Sequence, residues 1–278
     1  MLGFEIFLDD DYKGFGHSEG LARGLQIRVD GENLTQEGMG IGTIALKDKV
    51  TTVFSKEYRD LEITDPEIAN YHIAGQSKCR IYFLDAVLKI GMKRIQFLNL
   101  TRTWDNMTEY YKSHRKFQIF QLASGRYFDK LFQIERAFVK IEPRAEAKFC
   151  YDIVDTGVKV RTTIKMGDFT CDKICIMNEM GADWFSQARK NGSPVSLPAG
   201  WDQIDPVESN SLIDPTHNLG FTLKDIFVSG NLPFKLFWGR EKNSELCWTG
   251  FTIEINPSGV KNFPDEIQCI YNVVIERG

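Results

Sequence analysis

The chain has 278 residues, 42% of them hydrophobic and 26% charged, with a net charge of −4. Twenty Phe, nine Tyr and five Trp supply ample surface for a buried core, which excludes a disordered chain. Six Cys along so long a chain exclude a disulfide scaffold, and no apolar run approaches the roughly 20 residues of a membrane-spanning helix.

The amino end, Met1-Leu2-Gly3-Phe4-Glu5, has no secretory pattern and leads into an acidic run. The expectation is a cytoplasmic chain with reduced thiols and no membrane partner. Charge is uneven: residues 93–148 hold 12 Lys or Arg against 6 Asp or Glu. Such a stretch can meet an anionic partner or form the wet faces of strands. Lys148, Lys159 and Lys165 alternate with apolar residues, so the second reading is preferred and nucleic acid is not the expected partner.

The first chemical motif in chain order is Asp9-Asp10-Asp11. A calcium loop needs acids at alternating positions, so three adjacent ones read as a solvated turn. Lys13-Gly14-Phe15-Gly16 opens like an RNA-recognition signature, but His17, Ser18, Glu19 and Gly20 follow where aromatics belong. No Gly-Lys-Ser/Thr completes a phosphate loop either. The segment is a glycine-rich loop.

Strand-like segments follow: Gln26–Val29, Gly42–Lys47, then Arg80–Ile90 with Tyr82, Leu84, Ala86, Leu88 and Ile90 on one face. Pro66–Asn70 reads as one helical turn. Ile95–Leu100, Phe117–Leu122 and Phe128–Ile141 continue the strand pattern. Between them Arg102, Trp104, Tyr111, His114 and Arg115 concentrate aromatics with hydrogen-bonding charges. Ligand pockets are mostly apolar with a few placed polar groups. This is the best local candidate for a sugar-binding surface, with ordinary strand aromatics as the competing reading.

The clearest element spans Ala147 to Met166. Ala147, Phe149, Tyr151 and Ile153 alternate with polar residues. Asp155-Thr156-Gly157 then reads as a hairpin link, and Val158, Val160, Thr162, Ile164 and Met166 resume the alternation. Cys171 and Cys175 form a C-x₃-C spacing with no second pair to complete a metal site, so both read as small buried hydrophobes and no metal or cofactor is expected.

After Lys173–Met177, residues 178–191 read as a short helix. Asn178 serves as its cap, Met180, Trp184 and Ala188 fall at i, i+4, i+8, and Gly192 suits its carboxyl end. On that helix Glu179 and Asp183 share a face. They are weak catalytic candidates beside His114, with dipole-answering acids as the alternative.

Ser193–Gly220 contains Pro194, Pro198, Pro206 and Pro215 and reads as a long loop. Late strands are expected at Phe221–Val228, Phe234–Trp238, Phe251–Ile255 and Gln268–Ile275, with Arg240, Trp248 and Glu254 as a second ligand-binding cluster. The four histidines, His17, His72, His114 and His217, form no paired motif.

These segments predict an all-β, mainly antiparallel fold: a large two-sheet sandwich or barrel with one short helix. A single domain over 1–278 is expected, with 193–220 as the point where it would subdivide. The middle and late segments resemble the long two-sheet sandwiches of the galactose mutarotase family. The likeness is one of segment pattern, and the paired histidines and acid of that family are not located in this sequence. The leading expectation is a protein that binds or processes a sugar or other polar small molecule. The alternatives are a non-catalytic interaction subunit and a lipocalin-like carrier or hydratase for an apolar ligand.

Overall fold

A computed structural model describes residues 4–8, 24–35, 38–48, 52–64, 72–90, 93–97, 133–154, 157–167, 170–242, 247–257, 260 and 264–277. Among these residues the strands, in chain order, are β1 (Phe4–Phe7), β2 (Gln26–Val29), β3 (Glu32–Asn33), β4 (Gly40–Lys47), β5 (Thr52–Ile63) and β6 (His72–Ile90). There follow β7 (Lys93–Phe97), β8 (Gln133–Val154), β9 (Gly157–Lys165), β10 (Lys173–Gly181), β11 (Gln187–Lys190) and β12 (Ser193–Val195). The last are β13 (Gly200–Ile204), β14 (Asn210–Asp214), β15 (Leu219–Val228), β16 (Phe234–Lys242), β17 (Cys247–Ile255) and β18 (Glu266–Arg277).

Strands β1 to β3 form a small sheet. Among the described residues the other strands form one 15-stranded antiparallel sheet, ordered β12-β11-β14-β15-β18-β9-β8-β6-β5-β4-β10-β17-β16-β13, with β7 on β6. The all-β expectation holds, and the sandwich arises by bending. The sheet folds at the long strands β5 and β6, so that its two halves face each other. Contacts between strands far apart in the sheet order show this. The Tyr271 hydroxyl of β18 donates to Asn178 Oδ1 of β10 at 2.7 Å. The Tyr151 hydroxyl of β8 donates to the Ile41 carbonyl of β4 at 2.9 Å. Phe221 of β15 meets Phe251 of β17 edge to face at 5.1 Å.

The hairpin expected after Val154 is present, with Val154 opposite Gly157. Its alternation decides the faces: Ala147, Phe149, Tyr151, Val158, Val160 and Ile164 are buried, whereas Lys148, Lys159 and Lys165 are exposed. Every residue of β17 is buried, so that strand is covered on both faces. Most buried apolar residues of both layers belong to one cluster. Each large side chain there contributes roughly 1.5–3 kcal/mol.

The helix expected at 178–191 is absent. Residues 173–181 are strand β10, with Ile174, Ile176, Asn178 and Met180 buried at period two. A turn follows over Ala182–Trp184, then β11. Asn178 is therefore no cap. Met180 and Ala188 are both buried, but from two different strands, and their eight-residue spacing coincides with a helical period by accident.

Gly192 does not end a helix. With Asn191 it makes the two-residue turn between β11 and β12, both at positive φ (50° and 77°). That is the Asn-Gly signature of a tight hairpin. The stretch 193–220 is not a long loop: it carries β12, β13 and β14 and passes from one end of the sheet order to the other. Pro66–Asn70 and Phe117–Leu122 lie outside the described residues, as do residues 9–23 with their acidic and glycine-rich motifs.

Candidate functional site

The passage from β12 to β13 positions a site. Strand β12 terminates one layer and β13 the other, and only Ser196–Ala199 separate them. Beside this connector lies a cleft of about 490 Å³, lined by Ser186, Gln187, residues 195–199, Arg240 and Lys242. Val195, Leu197 and Pro198 give it an apolar wall. Ser186, Gln187 and Ser196 give it hydroxyl and amide groups.

The cations come from alternate positions of β16, on either side of Glu241. Each is held by the turn after β10. Arg240 Nε donates to the Ala182 carbonyl at 3.0 Å, which fixes the plane of the guanidinium. Lys242 pairs with Asp183, and the hydrogen bond that its ammonium donates to that carboxylate holds it above its ordinary pKa. Arg240 has no carboxylate partner among the described residues. The cleft therefore presents one oriented guanidinium that no carboxylate among the described residues compensates, a group suited to hydroxyl or oxyanion ligands.

The same turn carries a second arrangement. The Trp184 ring lies 4.9 Å from the ring of His217. Asp214, at the end of β14, has a side chain only 1% exposed. Its Oδ1 accepts the backbone N–H of Thr216 at 2.9 Å and of His217 at 3.3 Å. Its Oδ2 lies 2.6 Å from His217 Nδ1. That contact fixes the plane of the imidazole against a buried carboxyl group and turns Nε2 away from it. The sequence reading missed this dyad. The signal was present as Asp214-Pro215-Thr216-His217, an acid three residues before a histidine in a proline turn.

The residues expected from the sequence scatter. Arg240 and Asp183 come to the cleft end of the fold. Glu179 does not join Asp183, because four residues along a strand and its turn do not share a face as they would on a helix. Glu179 is 5% exposed, and its Oε2 accepts the Met39 N–H at 3.2 Å. Trp248 is 7% exposed and stacks on Trp201 at 4.2 Å and 18°; Trp201, 38% exposed, offers its other face outward. Glu254 pairs with Lys173 at 3.0 Å. It lies six residues from Trp248 on β17, about 20 Å along the strand, so the late cluster is not one site. Arg102, Trp104, Tyr111, His114 and Arg115 lie outside the described residues.

Among the described residues no three His, Cys, Asp or Glu side chains converge as metal ligands. Cys171 and Cys175 are 6% and 2% exposed, small buried hydrophobes as expected. None of the described helices is long and apolar enough to cross a membrane.

No protein-family model matches the chain, and no curated protein matches it. A solved structure described as "Crystal Structure Analysis of HI1317" aligns with 98% of this chain and 100% of its own at 9% identity and a TM-score of 0.35. A likeness of that size bears on neither fold nor function.

Proposed function

We propose that this chain binds a polar small molecule of the sugar class in the cleft beside the β12–β13 connector. The observation that carries the reading is Arg240, pinned through Nε, without a carboxylate partner among the described residues, and facing apolar and hydroxyl-bearing walls. Sugars need that combination: an apolar ring face to lie on and charged or amide groups to take the hydroxyls.

Thermal shift of the full chain against neutral monosaccharides, uronic acids and polyols tests this. At a hundredfold excess over Kd the best ligand is expected to raise Tm by about 5–10 °C. Arg240→Met should abolish that rise and lower the unliganded Tm by only about 2–6 °C, the cost of the hydrogen bond to Ala182. No rise with any sugar, or an equal rise in the variant, overturns the reading.

A second reading, an interaction subunit, has one observation in its favour. Val195, Trp201 and Val207, on one short segment, are 36%, 38% and 91% exposed. The apolar-carrier reading has less support, since Tyr151, Phe185, Phe221, Phe251 and Tyr271 fill the space between the layers.

A further inference from the structure

We infer that the solvent face of the sheet over β11, β14, β15 and β18 carries a second site, one that takes a small oxyanion group, phosphate or sulfate, in a groove over Gly220. The groove crosses β11, β14, β15 and β18 and encloses about 240 Å³. Its floor follows from the register. Ile213 lies opposite Gly220, and Gly220 opposite Glu276. Thr222 lies opposite Val274, and Arg189 opposite Ser211. Side chains at these positions share the outward face, while Leu212, Phe221 and Ile275 between them are buried.

Gly220 makes the depression, and the fold does not demand a glycine there. Its φ is not in the left-handed region. A Cβ added at Gly220 would have its nearest neighbours at 3.8 Å, the Glu276 carbonyl oxygen and Ile213 Cδ1. Backbone strain and crowding account for most glycines inside strands, and neither applies here. What the missing side chain does is leave room.

The walls suit an anion. Arg189, Lys224 and Arg277 reach the groove from three strands, against one acid, Glu276, in a chain whose net charge is −4. Arg277 is already paired with Asp30, and Lys224 is held only loosely by Glu276 at 3.8 Å. Arg189 has no carboxylate partner among the described residues. Ser209, Ser211 and Thr222 add hydroxyls that donate to no protein acceptor among those residues. A guanidinium fork with hydroxyl donors matches a tetrahedral oxyanion, which takes two or more charge-assisted bonds at once.

The test uses the full chain and inorganic phosphate, followed by calorimetric titration at low salt, with sulfate and methyl phosphate as further arms. Phosphate is expected to bind below about 10 mM and to weaken as salt rises. Arg189→Ala should weaken it at least about tenfold, the scale of one lost charge-assisted bond. Gly220→Val should abolish it by filling the groove, with Tm unchanged or raised, because a β-branched residue suits an open strand position. Equal affinity for phosphate and methyl phosphate marks a free anion as the ligand; tighter binding of the ester marks a phosphorylated metabolite. No phosphate binding by the native chain, or unaltered binding in either variant with that variant folded, overturns the inference. Sugar binding at Arg240 is a separate readout, so failure here leaves the cleft reading standing.

Discussion

Asn178 is fully buried, and its amide takes part in three hydrogen bonds. Strand β10 shifts register against β4 between Met177 and Asn178. The partner residue left out of the ladder is Gly42, at φ 85°. Its N–H donates to Asn178 Oδ1 at 3.2 Å, and the Tyr271 hydroxyl donates to the same oxygen at 2.7 Å. A Cβ at Gly42 would stand 2.9 Å from the Tyr151 hydroxyl, so this bulge requires glycine. Removing Asn178 strands two buried donors, whereas removing the Tyr271 hydroxyl strands none. Asn178→Ala is therefore expected to cost about 2–5 kcal/mol and Tyr271→Phe about 1 kcal/mol. Urea unfolding of both variants checks the order, and a costlier Tyr271→Phe would contradict the network. Sequence alone misplaces Asn178, because an Asn followed by an acid reads equally as a helix cap. Only the partner strand and its bulge show the side chain turned inward.

At the level of elements, long amphipathic strands are legible and short edge strands are not. The β8–β9 hairpin carries many alternating positions, so its period survives any single exception. Strand β11 has four residues with only Ala188 buried, and β12 has none buried; neither has enough period to count. Their turn was legible in principle, as Asn191-Gly192. It sat just behind a false helical spacing that claimed Gly192 as a terminator. That turn also aims the edge that walls the cleft. A Cβ at Gly192 meets nothing within 4 Å, so Gly192→Ala probes backbone conformation alone. It is expected to cost about 1–2 kcal/mol and to weaken whatever the cleft binds. Gly192→Asn should be nearly neutral, since Asn tolerates left-handed backbone. Tm and ligand titration of the two variants separate these outcomes. The candidate site was only partly legible for a related reason: Arg240 and Asp183 stand out as charges, but which edge they face depends on how the sheet bends.

For the whole molecule, burial of weak acids predicts how stability follows pH. Burial raises the thiols of Cys79, Cys171 and Cys269 from an ordinary value near 9 to about 12, and it raises the Tyr151 and Tyr271 hydroxyls as well. The unfolded chain releases these protons near pH 9–10 while the folded chain keeps them. Unfolding therefore releases protons, and stability is full below about pH 8.5 and falls as pH climbs toward 12. Each thiol contributes a slope of about 1.4 kcal/mol per pH unit within that window. Urea midpoints measured between about pH 8 and pH 11 are expected to drop steadily, and less steeply in Cys269→Ala. A flat profile would mean that these groups are not buried as described.

The place of β18 in the sheet has a consequence for how the protein is made. It lies between β15 and β9, joining strands that leave the ribosome well before it. Until residues 266–277 emerge, the nascent chain holds two fragments with raw edges and greasy faces. At about 5–20 residues per second the wait from β9 is several seconds or longer. That interval leaves apolar surface open to water, and a permuted version with β18 placed first would shorten the exposure.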